Sequence, residues 1–313
     1  MAAVRVLSQN RAASRAGLPH PSHFRVPMTE TCVRITEFTD PACPWAYSAE
    51  PFRHRIDWLY GDRIEWEPRM VVLANSPADH EKRGFTTEKL HAAYVRIAAE
   101  HRMPVDTRER PYVAGSRAAC KAVIGARVHA GPEATRVLLR SLRIRNFAGE
   151  MLDAPATIAG AAAEAGIGDE IETWLADREV EAELERDLVD ARRPMAAARV
   201  LDHKLANWSG GRRYTCPSYE ITRLDDGVTI SVPGFQPFAV YATILANLVP
   251  GMEREDPPAS AAEVLAWRQT PLSTQEVGVV CDVSFEAARE ELGRIATQQY
   301  VGADGFWRVD DER

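Results

Sequence analysis

The stretch that decides the fold is "TDPACPWAYSAEP", residues 39–51, in which Cys43 is followed at once by proline and tryptophan. Just before it, "CVRITEFT" (Cys32–Thr39) alternates apolar and polar residues and is rich in β-branched side chains, the pattern of a strand. After it, Trp45, Ala49, Phe52, Ile56 and Leu59 recur at helical spacing until Gly61, and Pro51 is expected to kink that helix. "RIEWEPRMVVL" reads as a second strand, so the segment predicts a strand–helix–strand unit with parallel strands. Cys43 then stands where a strand ends and a helix opens. The unpaired N–H groups and the dipole at such a helix start favour a thiolate over a thiol. Pro44 suits the first turn, where its missing N–H is not needed.

Outward from this unit, residues 77–205 read as helical throughout, in amphipathic segments broken by Gly and Pro. Among them "DEIETWLADREVEAELERDLVDAR" reads as one segment, and Asp153 is expected to cap the helix that begins near Pro155. Strands return in "PSYEITRL" and "VTISVPG", joined by the turn "DDG", with "PFAVYATILANLVPG" as a helix behind them. A long helical block between two sheet-forming halves reads as an insertion into one domain, formed by residues 30–76 and 206–250. "PGMEREDPPAS" is a Pro- and charge-rich linker. Beyond it three short helices and a hairpin, residues 257–313, resemble a winged helix, with Ser273 and Glu276 forming a capping box.

The 313 residues carry a net charge of −7, which argues against a broad nucleic-acid surface or an anionic-membrane surface. In the helix that would read DNA, Glu286, Glu290 and Glu291 oppose Arg289 and Arg294, so the C-terminal module is expected to pack against protein instead. No run approaches the ~18 apolar residues of a membrane span. Residues 1–29 lack an apolar core for secretion. They are Arg- and Ser-bearing like a transit peptide, but Gly17, Pro19, Pro21 and Pro27 interrupt any helix, and the segment is expected to be a disordered extension. The five cysteines at 32, 43, 120, 216 and 281 are odd in number and lack C-x-x-C spacing. A disulfide framework and a zinc knuckle are therefore not expected, and a reducing cytoplasm is. Basic residues are nearly all Arg and Ala is abundant, which suggests GC-rich coding and a bacterial source.

"EFTDPACPWAY", with the later "RYTCPSYEI" and "PGFQPF", resembles the DsbA-like thioredoxin-fold oxidoreductase family, especially its FrnE-like cytoplasmic branch, over Thr31 to Leu248. The resemblance implies an α/β thioredoxin fold with a large all-helical insertion. It implies that Cys43 is the nucleophile, that Pro217 is the cis-proline facing it, and that Glu37 is the acid beneath the thiol. Pro44, Trp45 and Thr215 are the candidate substrate-binding residues, with packing as the alternative for Trp45, a lone aromatic on a helix. No cofactor and no metal follow from it, and the implied partner is a low-molecular-weight thiol or a protein disulfide. One departure is plain: Ala46 occupies the position of the usual second cysteine. Cys216, immediately before Pro217, is expected beside Cys43, either as a replacement resolving thiol or as a small apolar residue filling that site, in which case a low-molecular-weight thiol resolves the bond. The alternative is a thiol-dependent transferase or isomerase of the kappa-class glutathione transferase or hydroxychromene carboxylate isomerase type, which uses a bound small thiol. A third is a silent adaptor whose working part is the C-terminal module.

Overall fold

The computed structural model describes residues 31–268 and 270–309, so the extension expected over residues 1–29 lies outside the described residues. Strand β1 (Val33–Thr39) leads through Cys43 into helix α1 (Pro44–Ser48), helix α2 (Glu50–Tyr60) and strand β2 (Ile64–Met70). The two strands are parallel, in register from Val33↔Ile64 to Thr39↔Met70, as the pattern requires. The helix predicted across this region breaks at Ala49. Pro51 has no N–H to give to the carbonyl four residues back, and the Ala49 N–H turns to the carbonyl of Ala46 at 3.2 Å. Gly61 ends α2 at φ +52°, a conformation that glycine adopts without a Cβ penalty.

The helical block runs α3 (Pro77–Lys82), α4 (Thr87–His101), α5 (Arg117–His129), α6 (Gly131–Phe147), α7 (Pro155–Glu164), α8 (Ile171–Ala176), α9 (Arg178–Ala191) and α10 (Ala196–Arg199). Its core, with Cys120, Leu138, Leu142 and Leu184, also takes in Met70 from the end of β2. Two expectations are corrected here. The segment read as one helix is α8 and α9, divided at Asp177, whose side chain accepts from the Glu179 N–H and caps the second helix. Asp153 does not cap α7: Ala154 holds that position, and the Asp153 carboxylate accepts instead from the Tyr112 hydroxyl at 3.0 Å and the Gly115 N–H at 3.4 Å.

A small hairpin, β3 (Ala206–Trp208) with β4 (Gly211–Arg213), precedes β5 (Ser218–Arg223) and β6 (Thr229–Val232). Strand β5 runs antiparallel to both β1 and β6, giving a four-stranded sheet in the order β2-β1-β5-β6. Helix α11 (Phe238–Leu248) lies with α2 against one face, where Val33, Ile35, Ile56, Ile221 and Leu245 form a continuous core.

The linker over 250–260 is held to α2: the Glu255 N–H donates to the Leu59 carbonyl at 2.7 Å, and Trp58 Nε1 donates to the Asp256 carbonyl at 2.8 Å. The last section comprises α12 (Ala261–Arg268), β7 (Leu272–Ser273), α13 (Thr274–Cys281), α14 (Phe285–Ile295), β8 (Thr297–Val301) and β9 (Asp304–Arg308). Its strands form a second sheet ordered β7-β9-β8. The capping box is present, with Ser273 and Glu276 each satisfying the other's backbone N–H. Helix α13 packs on α2, and this section has its own core around Val264, Leu272 and Leu292.

Candidate active site at Cys43

Cys43 is the N-cap of α1 and is buried, with its side chain in a cluster containing Phe38, Ala46, Tyr214 and Cys216. The loop that carries it is set by Asp40. The Asp40 carbonyl accepts from the Cys43 N–H at 3.0 Å, and its carboxylate accepts from the Ala42 N–H at 2.7 Å, closing an Asx-type turn. The other carboxylate oxygen takes the Leu73 N–H at 2.7 Å and the Ser116 hydroxyl at 2.6 Å, with the Cys120 thiol at 3.5 Å.

The Cys216–Pro217 peptide bond is cis, and Cys216 is in contact with Cys43, 173 positions away in the chain. The Cys43 thiol donates to the Cys216 carbonyl at 3.2 Å. The two sulfurs then diverge in acidity. Burial opposes ionisation of Cys43 most strongly, but the Cys216 side chain and the backbone N–H groups of Ala46 and Trp45 hydrogen-bond its thiolate, and the net result is a thiol more acidic than usual despite the Asp40 charge. Cys216 moves the opposite way. Burial, the hydrogen bond it gives to Cys43 and the negative charges of Cys43 and Asp40 push it well above the ordinary thiol range. Two adjacent thiols therefore share one ionisation, and it belongs to Cys43.

Of the remaining residues singled out by sequence, Pro217 is buried and Pro44 and Thr215 are half-buried beside this pair in the chain. Trp45 is half-buried, its ring edge-on to His101 at 5.0 Å and tilted to Phe235 at 5.7 Å, so much of its surface is already spent on packing. Glu37 lies on β1, but its carboxylate faces Arg143 at 2.8 Å and Arg53 at 3.3 Å. The acid that acts on the thiols is Asp40. Sequence reasoning passed over it, although it stands three residues before Cys43 at a turn where Asp is favoured.

Glu37 belongs to a buried network reaching across the molecule. Arg143 also pairs with Glu50, Arg140 bridges Glu50 at 3.4 Å and Glu276 at 2.6 Å, and His54 sits 3.2 Å from Glu276. Burial, followed by the Arg268 charge, brings His54 down to about 4, so it is neutral at pH 7. Glu50, His54 and Glu276 are close enough together to share a metal ion. Their carboxylates are already neutralised by buried guanidiniums, however, and a divalent ion there would face Arg140 directly.

Two cavities are relevant to chemistry. The larger, about 820 Å³, lies over β1, β2 and α12, and its guanidiniums are consumed by ion pairs such as Arg136–Glu133, Arg268–Asp57 and Arg34–Glu65. The smaller, about 340 Å³, opens beside the thiol, with Ala42 and Pro44, the two neighbours of Cys43, in its wall.

No protein-family model matches this sequence, and no curated protein sequence matches it. Solved structures do match in fold. A protein from Nitrosomonas europaea put forward as a disulfide isomerase superposes with a TM-score of 0.51 at 16% identity, covering 69% of this chain and 97% of that one. A probable DsbA oxidoreductase from Streptomyces coelicolor gives a TM-score of 0.49 at 21% identity over 69% and 89% of the two chains. The cytosolic disulfide reductase DsbM from Pseudomonas aeruginosa gives 0.48 at 16% identity over 69% and 98%. The fold is thus a DsbA-like thioredoxin fold carrying a helical insertion, the class that the sequence motif implies. Among the described residues no helix is long and apolar enough to cross a membrane.

Proposed function

We propose that the chain is a thiol–disulfide oxidoreductase that works through a mixed disulfide on Cys43, with Cys216 as its resolving thiol. The observation that carries this reading is the contact between the two cysteines together with the opposite directions of their acidities. The Cys43 thiolate attacks one sulfur of a disulfide RS–SR′; the S–S bond breaks and R′S⁻ leaves, taking a proton from water. Cys216 then loses its proton to water and attacks the Cys43 sulfur, expelling RS⁻ and leaving a Cys43–Cys216 disulfide. The substrate has gained two electrons and the protein has lost two. Two equivalents of a low-molecular-weight thiol restore the protein, the first by forming a mixed disulfide and the second by releasing it as the oxidised dimer.

The division of labour follows from pKa order. The more acidic sulfur is the nucleophile and the better leaving group, and the raised pKa of Cys216 keeps it protonated until the Cys43 charge has been consumed. Glu37, Pro217, Pro44 and Thr215 are read as support for this geometry, with Glu37 held in its ion pairs instead of exchanging protons with the thiol. We take residues 257–313 as a winged-helix-like module, residues 77–205 as the insertion, and the cytoplasm as the compartment, since a reducing poise there keeps thiols available for exchange.

The test is reduction of a glutathione mixed disulfide, with trapping and non-reducing peptide mapping after mild oxidation. Wild type is expected to yield a Cys43–Cys216 linkage, and Cys43→Ser is expected to lose activity altogether. Full activity in Cys43→Ser would overturn the proposal and favour the transferase or isomerase type. Capture of Cys43 only by the added thiol would remove Cys216 from the mechanism.

A further inference from the structure

The cavity beside Cys43 has a composition that names a ligand. It is walled by Leu90, Val113, Met151 and Leu152 on its apolar side, and no Asp or Glu lines it although the chain as a whole carries a charge of −7. Two arginines do line it, and neither makes an ion pair among the described residues. Arg83, exposed at the mouth, gives its hydrogen bonds to the carbonyls of Asp79 and Leu73, each at 2.8 Å. Arg110 donates to the carbonyls of Glu150 at 3.0 Å and Asn146 at 2.5 Å and lies over the ring of Tyr94.

Two donors in this wall are left over. Arg110 Nε and Asn146 Nδ2 are both buried and neither has an acceptor in hydrogen-bonding geometry. Asn146 is only 5% exposed, and its amide approaches the Tyr94 hydroxyl, which lines the same cavity. A buried amide N–H and a buried guanidinium N–H without acceptors are each costly. Side by side in a cavity with no carboxylate of its own, they are matched by one group above others, a carboxylate from outside. Ala42 and Pro44, the residues on either side of Cys43, line the same cavity as Tyr94, Arg110 and Asn146, so the donor end and the loop that carries the sulfur share one space.

We propose that this cavity is the substrate pocket for a small apolar acid, its carboxylate held by Arg110 and Asn146, its hydrocarbon body against Leu90, Val113 and Leu152, and its thiol or disulfide sulfur directed at Cys43. The proposal rests on the exchange chemistry proposed for Cys43 and names its substrate class. The volume of about 340 Å³ lies at the lower end of ligand pockets, which suits one aromatic ring and a short chain and not an extended peptide.

Binding is measured by calorimetry on full-length Cys43→Ser, with 3-phenylpropionate and its uncharged amide as probes. The acid is expected to bind at least tenfold more tightly than the amide. Asn146→Asp, near-isosteric but with an acceptor in place of a donor, is expected to erase that preference, and Arg110→Met to weaken the acid at least tenfold while sparing the amide. Equal affinity of acid and amide for the Cys43→Ser protein would overturn the pocket assignment, and that comparison does not depend on either variant folding. Exchange is measured separately on wild type with 4,4′-dithiodipyridine, a neutral disulfide. Failure there counts against the chemistry of Cys43, whereas loss of the acid–amide difference counts against the pocket.

Discussion

Two groups of buried charges in this protein are handled in opposite ways. In the network behind β1, three carboxylates (Glu37, Glu50 and Glu276) meet three guanidiniums (Arg53, Arg140 and Arg143), and the one group able to change charge near neutrality, His54, is held neutral. At the thiol site the opposite holds. Asp40 is buried with only neutral donors around it and no ion pair among the described residues, and its charge stands behind two thiols of which one is to ionise. A balanced cluster resists gaining or losing charge and so serves architecture. An unbalanced one sits close to a change of state, which is what exchange chemistry needs.

The comparison breaks most visibly if one partner is removed from the balanced side. Arg143→Met leaves Glu37 and Glu50 short of a cation in a dry interior and is expected to cost about 3–5 kcal/mol in urea unfolding. The pH profile of Cys43 alkylation should hardly move in the same variant; a profile displaced as far as the stability would join the two regions into one.

Acid comes next. The folded-state value of His54 lies below its unfolded value, 6.5 falling to about 4. The unfolded chain therefore takes up the extra proton, and stability is full above about 6.5 and declines as pH falls towards 4, by about 3 kcal/mol. Glu50, lowered to about 2 against burial chiefly by Arg143 and Arg140, adds a second decline from about 4.5 downward. In His54→Gln the first decline should flatten while the second persists, as read from unfolding free energies at closely spaced pH.

On the unbalanced side the effects are smaller and appear in reactivity. Cys216→Ala removes a hydrogen bond to the Cys43 thiolate, worth about 1.5–3 kcal/mol for a charged acceptor, so the alkylation midpoint of Cys43 is expected to rise by about one to two pH units. Asp40→Asn should displace that midpoint downward and by less, because the Asp40 charge ranks behind burial, Cys216 and Ala46 in setting it. An upward displacement would mean that the carboxylate matters only as a fastener for the loop.

What could be read from the sequence follows the same divide. The strand–Cys–Pro–helix unit, the parallel β1–β2 pair, the hairpin of β5 and β6 and the Ser273–Glu276 capping box are local patterns, and each stands where periodicity and turn chemistry put it. Cys216 was reached only through its position before Pro217, since nothing in residues 212–216 announces a neighbour 173 positions away. Arg143 and Arg140 read as polar positions on an amphipathic helix, yet they are 1% and 5% exposed, because their partners come from β1, α2 and α13. The hairpin of β3 and β4 escaped notice because "ANWSGGRR" has too few apolar residues to show a period of two. Asp40 was missed as a plain turn residue, and Asp153 was mistaken for a cap because a distant tyrosine hydroxyl claims it.

Glu276 carries one further consequence, for the order in which the chain is made. The same carboxylate starts α13 through the Ser273 N–H and neutralises Arg140. It leaves the ribosome more than a hundred residues after Arg140 and His54. Without Glu276, α2 and α6 close over three guanidiniums with only two carboxylates, so this buried network is balanced only once residues 273–276 have been made. The turn over residues 273–276 that begins this helix is thus also what brings the third carboxylate to Arg140.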